Sequence, residues 1–300
     1  MDIIAQEIIR HLPQAGESRR LFHGRGHCFA GLEALVIDYY PPVVLVILYR
    51  QRPQDWLMDL THLLLSTLPV APQAILLQER FRPGAPSRLL QGELPAEVEA
   101  QEDGLRYRLR LGDAQNVGFF PDMAVGRRLL REMARDKRVL NLFAYSCSFS
   151  VAALSGGAEQ VVNLDMNRGA LDLGKLNHSL NNIDLRRASF LPMELFRSFG
   201  RLRRCGLFDL VICDPPASQG KSFTAERHWP KLLRRLPELL TPHGEVLACR
   251  STPTLTNCDL EKMFSERLPA AQLIDRHEAG DDFPEADSER GTTALRYRLG

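Results

Sequence analysis

The stretch Lys137-Arg-Val-Leu-Asn-Leu-Phe-Ala-Tyr-Ser-Cys-Ser-Phe-Ser-Val-Ala-Ala-Leu154, with Val161-Val-Asn-Leu-Asp165 and Phe208-Asp-Leu-Val-Ile-Cys-Asp-Pro-Pro216 after it, decides the fold of this chain. Each apolar run is too short for a helix, carries β-branched residues and stops at small or acidic side chains. It therefore reads as a buried strand of a parallel sheet. In an open α/β sheet ligands bind beyond the carboxyl ends of the strands, so three successive strands ending this way describe a nucleotide-like pocket at one sheet edge.

Working outward, strand and helix alternate from Pro121 onward. The pattern predicts helices over 121–135, 148–156 and 168–182, and strands over 138–143, 160–165, 187–191, 208–213 and 245–249. A further helix is expected over 227–240, where Trp229, Leu232, Leu233, Leu236 and Leu240 share one face. Two strands, 271–276 and 293–299, flank an acidic loop in the tail. Such alternation means an α/β fold: a parallel sheet with helices on both faces and an antiparallel strand at its edge. Before about Asn116 the pattern is α+β. A helix over 2–12 leads to strands over 35–40 and 43–49 joined across Pro41-Pro42, then a helix over 54–68 and a strand over 74–78. Arg82-Pro-Gly-Ala-Pro-Ser87 reads as an exposed loop, and residues 97–111 alternate around the turn Glu102-Asp-Gly104. Two domains are expected, 1–115 and 116–300.

With 300 residues, 44% hydrophobic and 25% charged, the chain has ordinary globular composition and room for a sizeable core. Its six cysteines show no Cys-x-x-Cys pair, so neither a zinc site nor a disulfide framework is suggested and no metal is expected. No apolar run reaches ~18 residues and the start lacks a signal-peptide pattern, so the expectation is a cytoplasmic protein without a membrane partner. The net charge is only +1, yet arginines gather around 127–138 and around 186–204. The plainer reading is solvated helix faces; grouped near one sheet edge, they would form a phosphate-binding face.

The first strand ends in Asn141-Leu-Phe-Ala-Tyr-Ser-Cys-Ser148, where a dinucleotide enzyme shows Gly-x-Gly-x-x-Gly. A turn without those glycines is less suited to cradling a pyrophosphate, which favours a ligand without phosphates. Asp165 closes the second strand, ~20 residues on, at the position from which a carboxylate grips both ribose hydroxyls. Its plainer reading is a helix N-cap, with Asn167 as a rival for that role. In Asp214-Pro-Pro216 the prolines lack N–H groups and hold a rigid, extended edge whose carbonyls can face a base.

These residues, with Gln115-Asn-Val-Gly-Phe-Phe-Pro-Asp122, Asn177 and Asn181, resemble the S-adenosylmethionine-dependent methyltransferases related to bacterial 23S ribosomal RNA cytosine-C5 and guanine-N7 enzymes. Arg20-Leu-Phe-His-Gly-Arg-Gly26 and Gly31-Leu-Glu-Ala-Leu-Val-Ile-Asp38 are similar to the accessory domain of those enzymes. The resemblance implies a Rossmann-like seven-stranded sheet behind a small N-terminal α+β domain, S-adenosyl-L-methionine as cofactor, and RNA, 23S ribosomal RNA above all, as partner. It places Asn141, Phe143 and Tyr145 along the methionine part of the cofactor, with Ser146 where many relatives have glycine. It sets Asp165 on the ribose, Met166 and Asn167 beside the adenine, and Glu194 near the adenine amino group. Asp214 would sit by the reactive methyl, Pro215 and Pro216 would frame the target, and Phe119, Phe120 and Asp122 would cover the cofactor. Interdomain packing is the plainer reading of the two phenylalanines.

Cytosine-C5 chemistry needs a thiolate, whereas a ring nitrogen or amine needs mainly positioning. Cys249, in Ala248-Cys-Arg-Ser-Thr252, lies close to where the cytosine enzymes carry Ser-Cys-Ser, but a buried strand cysteine is the commoner thing. Ala217-Ser218 follows the prolines where amine-methylating relatives have an aromatic residue; Phe223 is the nearest one, with Lys221 and Arg227 available for phosphates. Three functions remain open: a methyltransferase for a base in ribosomal RNA, one for a protein or small molecule, and a noncatalytic RNA-binding relative.

Overall fold

The computed structural model describes every residue except 15, 113–114, 220–222 and 253. The chain forms two compact units, one of Met1–Pro121 with Gly280–Ala286, the other of Asp122–Ala279 with Asp287–Gly300. The junction thus falls a few residues beyond 115/116, and a short tail segment joins the first unit.

In the first unit α1 (Asp2–Arg10) and α2 (Gln54–Thr67) cover a five-stranded sheet of order β1-β2-β3-β4-β5. Its strands are β1 (Arg19–His23), β2 (Leu35–Tyr40), β3 (Val43–Leu48), β4 (Ala74–Glu79) and β5 (Ser87–Gly92). Ile4 and Ile8 of α1 and Leu57, Leu60 and Leu64 of α2 lie at helical spacing and pack on Val44, Val46 and Ile75. Residues 82–86 are a loop, but Ser87–Gly92 continues as an edge strand that the reading of the sequence passed over. A separate hairpin pairs β6 (Glu99–Glu102) with β7 (Leu105–Arg108). Gly280–Ala286 is tied to this unit by the Ala286 N–H donating to the Gly26 carbonyl at 2.7 Å and by Arg20 stacked over Phe283.

The second unit holds a seven-stranded sheet of order β10-β9-β8-β11-β14-β16-β15. The strands β8 (Arg138–Leu142), β9 (Gln160–Asp165), β10 (Ala188–Pro192), β11 (Phe208–Cys213) and β14 (Leu240–Arg250) run parallel. Strands β15 (Ala271–Glu278) and β16 (Thr293–Leu299) complete it antiparallel. The order reverses between β8 and β11, which opens a crevice beyond their carboxyl ends. Helices α3 (Ala124–Met133) and α4 (Ser148–Ser155) pack Leu130, Phe149 and Ala153 on one face, while α5 (Arg168–Leu180) lays Leu171 against Ala144 and Cys147. On the opposite face, α6 (Leu195–Arg204), α7 (Ala225–Leu233) and α8 (Asn257–Arg267) bury Phe199, Trp229 and Phe264 in one core cluster.

Several elements differ from expectation. The helix expected over 227–240 is α7, which ends at Leu233; a 3-10 turn covers Leu236–Glu238 and β14 begins at Leu240. Pro237 has no N–H to bond back to Leu233, and the Phe208 N–H instead takes the Leu239 carbonyl at 2.8 Å, drawing that segment to the sheet. Helices α6 and α8 were not anticipated, although Thr256 and Asp259 form a reciprocal capping box at the start of α8. Past the two prolines, β12 (Ser218–Gln219) pairs with β13 (Phe223–Thr224). No helix among the described residues is long and apolar enough to cross a membrane.

Candidate active site

The loop between β8 and α4 follows an unusual path. Phe143, Tyr145 and Cys147 all have positive φ, at 58°, 45° and 60°, although none is glycine. Each such residue costs about 1–3 kcal/mol, so the surroundings must impose the conformation. The Ala144 N–H donates to the Leu164 carbonyl at 3.0 Å, the Tyr145 N–H to Asp165 Oδ2 at 2.9 Å, and the Cys147 N–H to the Ala144 carbonyl at 2.7 Å. Asn177 Nδ2 donates to the Ser146 carbonyl at 2.9 Å. Gly174 of α5 lies directly below: a Cβ there would meet Cys147 Sγ at 2.4 Å. These loop amides are consumed within the protein, so they are not aimed at an anion as in a phosphate-binding turn.

Asp165 accepts a second amide, from Asn167, at 2.8 Å. Burial pushes its carboxyl up, while these two N–H donors oppose the rise. Asn167, not Asp165, caps α5, its Oδ1 accepting from the Ala170 N–H at 3.1 Å. The carboxylate is held rigid by backbone at the carboxyl end of β9 without being the cap. Beneath it runs a buried chain: Asn141 Nδ2 donates to Asn163 Oδ1, Asn163 Nδ2 to Ser150 Oγ, and Ser150 Oγ meets His178 Nε2, all within 3.1 Å. Asn141 Oδ1 is a buried acceptor with no hydrogen-bond partner among the described residues.

Across the crevice, Asp214 follows β11. Burial, the nearby Asp122 carboxylate and, in the opposite sense, the Arg127 guanidinium bring its carboxyl up to about 7. Asp122 Oδ2 accepts from Thr292 Oγ1 at 2.9 Å, and Arg127 is a fully buried cation. Pro215 is buried and Pro216 exposed. Phe223 returns over the loop, its ring edge-on to Phe143 with centroids 4.7 Å apart.

A family model described as S-adenosylmethionine-dependent methyltransferase matches residues 19–298. The chain belongs to that family. It is 30% identical over 206 residues to "Ribosomal RNA large subunit methyltransferase I" of Tolumonas auensis, a match covering 65% of this chain and 52% of that protein. It is 31% identical over 202 residues to the protein of the same name from Enterobacter sp. strain 638, covering 64% and 51%. The chain therefore spans about half the length of the curated relatives it matches. The crystal structure of SMU.776 complexed with SAH is similar with a TM-score of 0.86 and 25% identity, over 96% of this chain and 76% of that one.

The remaining expected site residues of the chain fall in varied settings. Met166 stands exposed beside Asp165 at the sheet edge. Glu194 caps α6, its two carboxylate oxygens accepting from the Phe196 and Arg197 N–H groups at 3.0 and 2.9 Å. Phe119 and Phe120 belong to the first unit, where Phe119 stacks on Tyr107 at 4.8 Å and Phe120 is exposed. Cys249 is fully buried with Phe149, Met123 and Ala294, and burial, with Asp214 nearby, pushes its thiol well above the ordinary range. Lys221 lies outside the described residues. Among the described residues no cluster of His, Cys, Asp or Glu is placed to hold a metal. Two of the grouped arginines have partners within the protein: Arg138 donates to the Cys205 and Leu207 carbonyls, and the exposed Arg186 pairs locally with Asp184. The sequence reading also missed Arg250, whose buried guanidinium bonds Asn257 Oδ1 at 2.7 Å and the Leu255 carbonyl at 3.0 Å and anchors the end of β14.

Proposed function

We propose that this chain transfers a methyl group from S-adenosyl-L-methionine to a base of RNA, with 23S ribosomal RNA as substrate. One observation supports the reading most: Asp165 is pinned by two backbone amides beside a loop in which the Ala144, Tyr145 and Cys147 N–H groups are already bonded. A rigid carboxylate next to a turn with few free amides suits a nucleoside that carries ribose hydroxyls and no phosphate. Asp165 holds the ribose, and Met166 and Asn167 flank the adenine. Phe143, Tyr145 and Ser146 line the methionine part over the Asn141 network. S-adenosyl-L-methionine, when bound, supplies a methyl on a sulfonium, so the protein's task is alignment.

Asp214 faces the acceptor. With a carboxyl near neutrality, its oxygens can take a proton from the base as the new bond forms. Pro215 and Pro216 keep that edge extended, and Phe223, packed on Phe143, walls the acceptor side. Because burial keeps its thiol protonated, Cys249 serves the core and not nucleophilic attack. The relatives' name for a large-subunit ribosomal RNA methyltransferase supports the substrate.

The test joins calorimetry with S-adenosyl-L-methionine to a tritium-methyl transfer assay offering 23S ribosomal RNA, large subunits and protein extract from a strain lacking this protein. Cofactor binding with label in the RNA is expected; label in protein alone would overturn the substrate assignment.

A further inference from the structure

The outward faces of α6 and α7 carry a feature that the site itself does not use. On α6, Leu195, Phe199 and Leu202 face the core, and Arg197, Arg201 and Arg204 follow one another at i, i+4, i+7 on the opposite side, all exposed. The pattern repeats on α7 and its C-cap: Trp229, Leu232 and Leu233 are buried, and Arg227, Lys231 and Arg234 are exposed at the same spacing. Each row runs about 10 Å along its helix. In a chain of net charge +1, six cations on two helices are a marked concentration.

The helices that carry the two rows touch. Lys231 sits over the Phe196 ring at 4.0 Å, Arg235 over Phe199 at 3.7 Å, and Arg203 pairs with Glu238. Of the acids close by, Glu194 is the cap of α6 and Glu238 is held by Arg203 and Arg235, while Glu226 is exposed beside Arg227 in the first turn of α7. Both helices also start at the crevice. The Met193 N–H, just before α6, donates to the Asp165 carbonyl at 3.1 Å, and the Ala225 N–H, at the start of α7, to the Ala217 carbonyl beside the two prolines at 3.0 Å. A file of rings joins the rows to the site: Phe143 to Phe223 at 4.7 Å, Phe223 to His228 at 5.4 Å, and His228 to Phe196 at 5.6 Å.

We infer that the outer faces of α6 and α7 form a phosphodiester-binding ramp that receives the RNA strand leaving the active site, with Arg197 and Arg227 nearest the target nucleotide. The ramp rests on the RNA reading above. Six exposed cations in two rows on touching helices, against the one exposed carboxylate of Glu226, match a polyanion of regular charge spacing, and such contacts position a strand without reading its sequence. On this view the second unit holds RNA by itself, through residues with no role in cofactor binding.

The test compares the double variant Arg201→Gln/Arg227→Gln with Lys262→Gln/Arg267→Gln, an equal charge change on the neighbouring helix α8. A fluorescein-labelled 23S ribosomal RNA transcript is titrated across a salt series, with cofactor affinity measured by calorimetry. Each phosphate contact on a single strand contributes roughly 0.7 to the slope of log K against log salt, so the ramp variant should lose about 1.4 and bind on the order of tenfold more weakly at low salt. Cofactor affinity should stay at the wild-type value, and the α8 variant should keep the wild-type slope. Equal slopes for both variants and wild type, or equal losses in both variants, overturn the ramp while leaving RNA as substrate. A wild-type protein that binds S-adenosyl-L-methionine but prefers poly-L-glutamate to the transcript overturns both.

Discussion

The Tyr145 backbone N–H donates to Asp165 Oδ2 at 2.9 Å, linking the loop after β8 to the end of β9. The bond depends on the left-handed backbone of Tyr145, which turns its amide toward β9. One hydrogen bond thereby fixes both the carboxylate proposed to grip the ribose and the loop proposed to line the methionine end. Asp165→Ala should weaken S-adenosyl-L-methionine binding at least tenfold, since hydrogen bonds to a charged group contribute about 1.5–3 kcal/mol each. Calorimetry measures it, and wild-type affinity in the variant would reject Asp165 as the ribose ligand.

Gly174 tests whether that loop is held from below. A Cβ would meet Cys147 Sγ at 2.4 Å and Cys147 Cβ at 2.9 Å, so Gly174→Ala must displace the loop. Overpacking of this kind costs about 1–3 kcal/mol, and cofactor affinity should fall with it. Adding Cys147→Ala, which removes the nearer atom, should restore part of the melting temperature.

For Asp214 the pH dependence follows from a folded-state carboxyl near 7 against an ordinary value of 3.8. Catalysis that needs the carboxylate should rise with pH through about 7, and Asp214→Asn should abolish that limb of the kcat/KM profile. Stability runs the other way. The folded form holds its proton to higher pH than the unfolded chain, so Asp214 stabilises relatively below pH 4 and its contribution declines between pH 4 and 7. Asp214→Asn should therefore gain in melting temperature over wild type across that interval, and the gain should level off above it. A constant difference across the range would contradict the raised carboxyl.

Cys249 is buried in the strand core with a protonated thiol. Cys249→Ala should cost about 1 kcal/mol for the small cavity and leave methyl transfer within about twofold. Loss of transfer by a variant that folds and binds cofactor would instead establish a covalent step.

Glu194 separates a cap from a ligand. Glu194→Ala should lower stability by about 1 kcal/mol through loss of the two N–H contacts at the start of α6, while cofactor affinity holds. A drop in affinity without a change in melting temperature would make it an adenine contact.

The order of apolar runs in this chain was enough to announce the parallel sheet, the carboxyl-edge crevice and the three strand ends at Asn141, Asp165 and Asp214. Strand periodicity and the termini of short β-branched runs are local properties, written in adjacent residues. Folding decided what adjacency cannot. Whether Asp165 or Asn167 caps α5 depended on which side-chain oxygen faced the Ala170 amide, and the left-handed path of Phe143, Tyr145 and Cys147 on contacts with Leu164, Asp165 and Gly174. Helix α7 stopped at Leu233 because Pro237 and the pairing of Phe208 with Leu240 outweighed a continuous apolar face. The raised carboxyl of Asp214 needed Asp122 and Arg127, far off in the chain, beside it. Likewise, arginines 197–204 and 227–234 became one surface only when Phe196 met His228 and Lys231, because side-chain environments are set by neighbours in space.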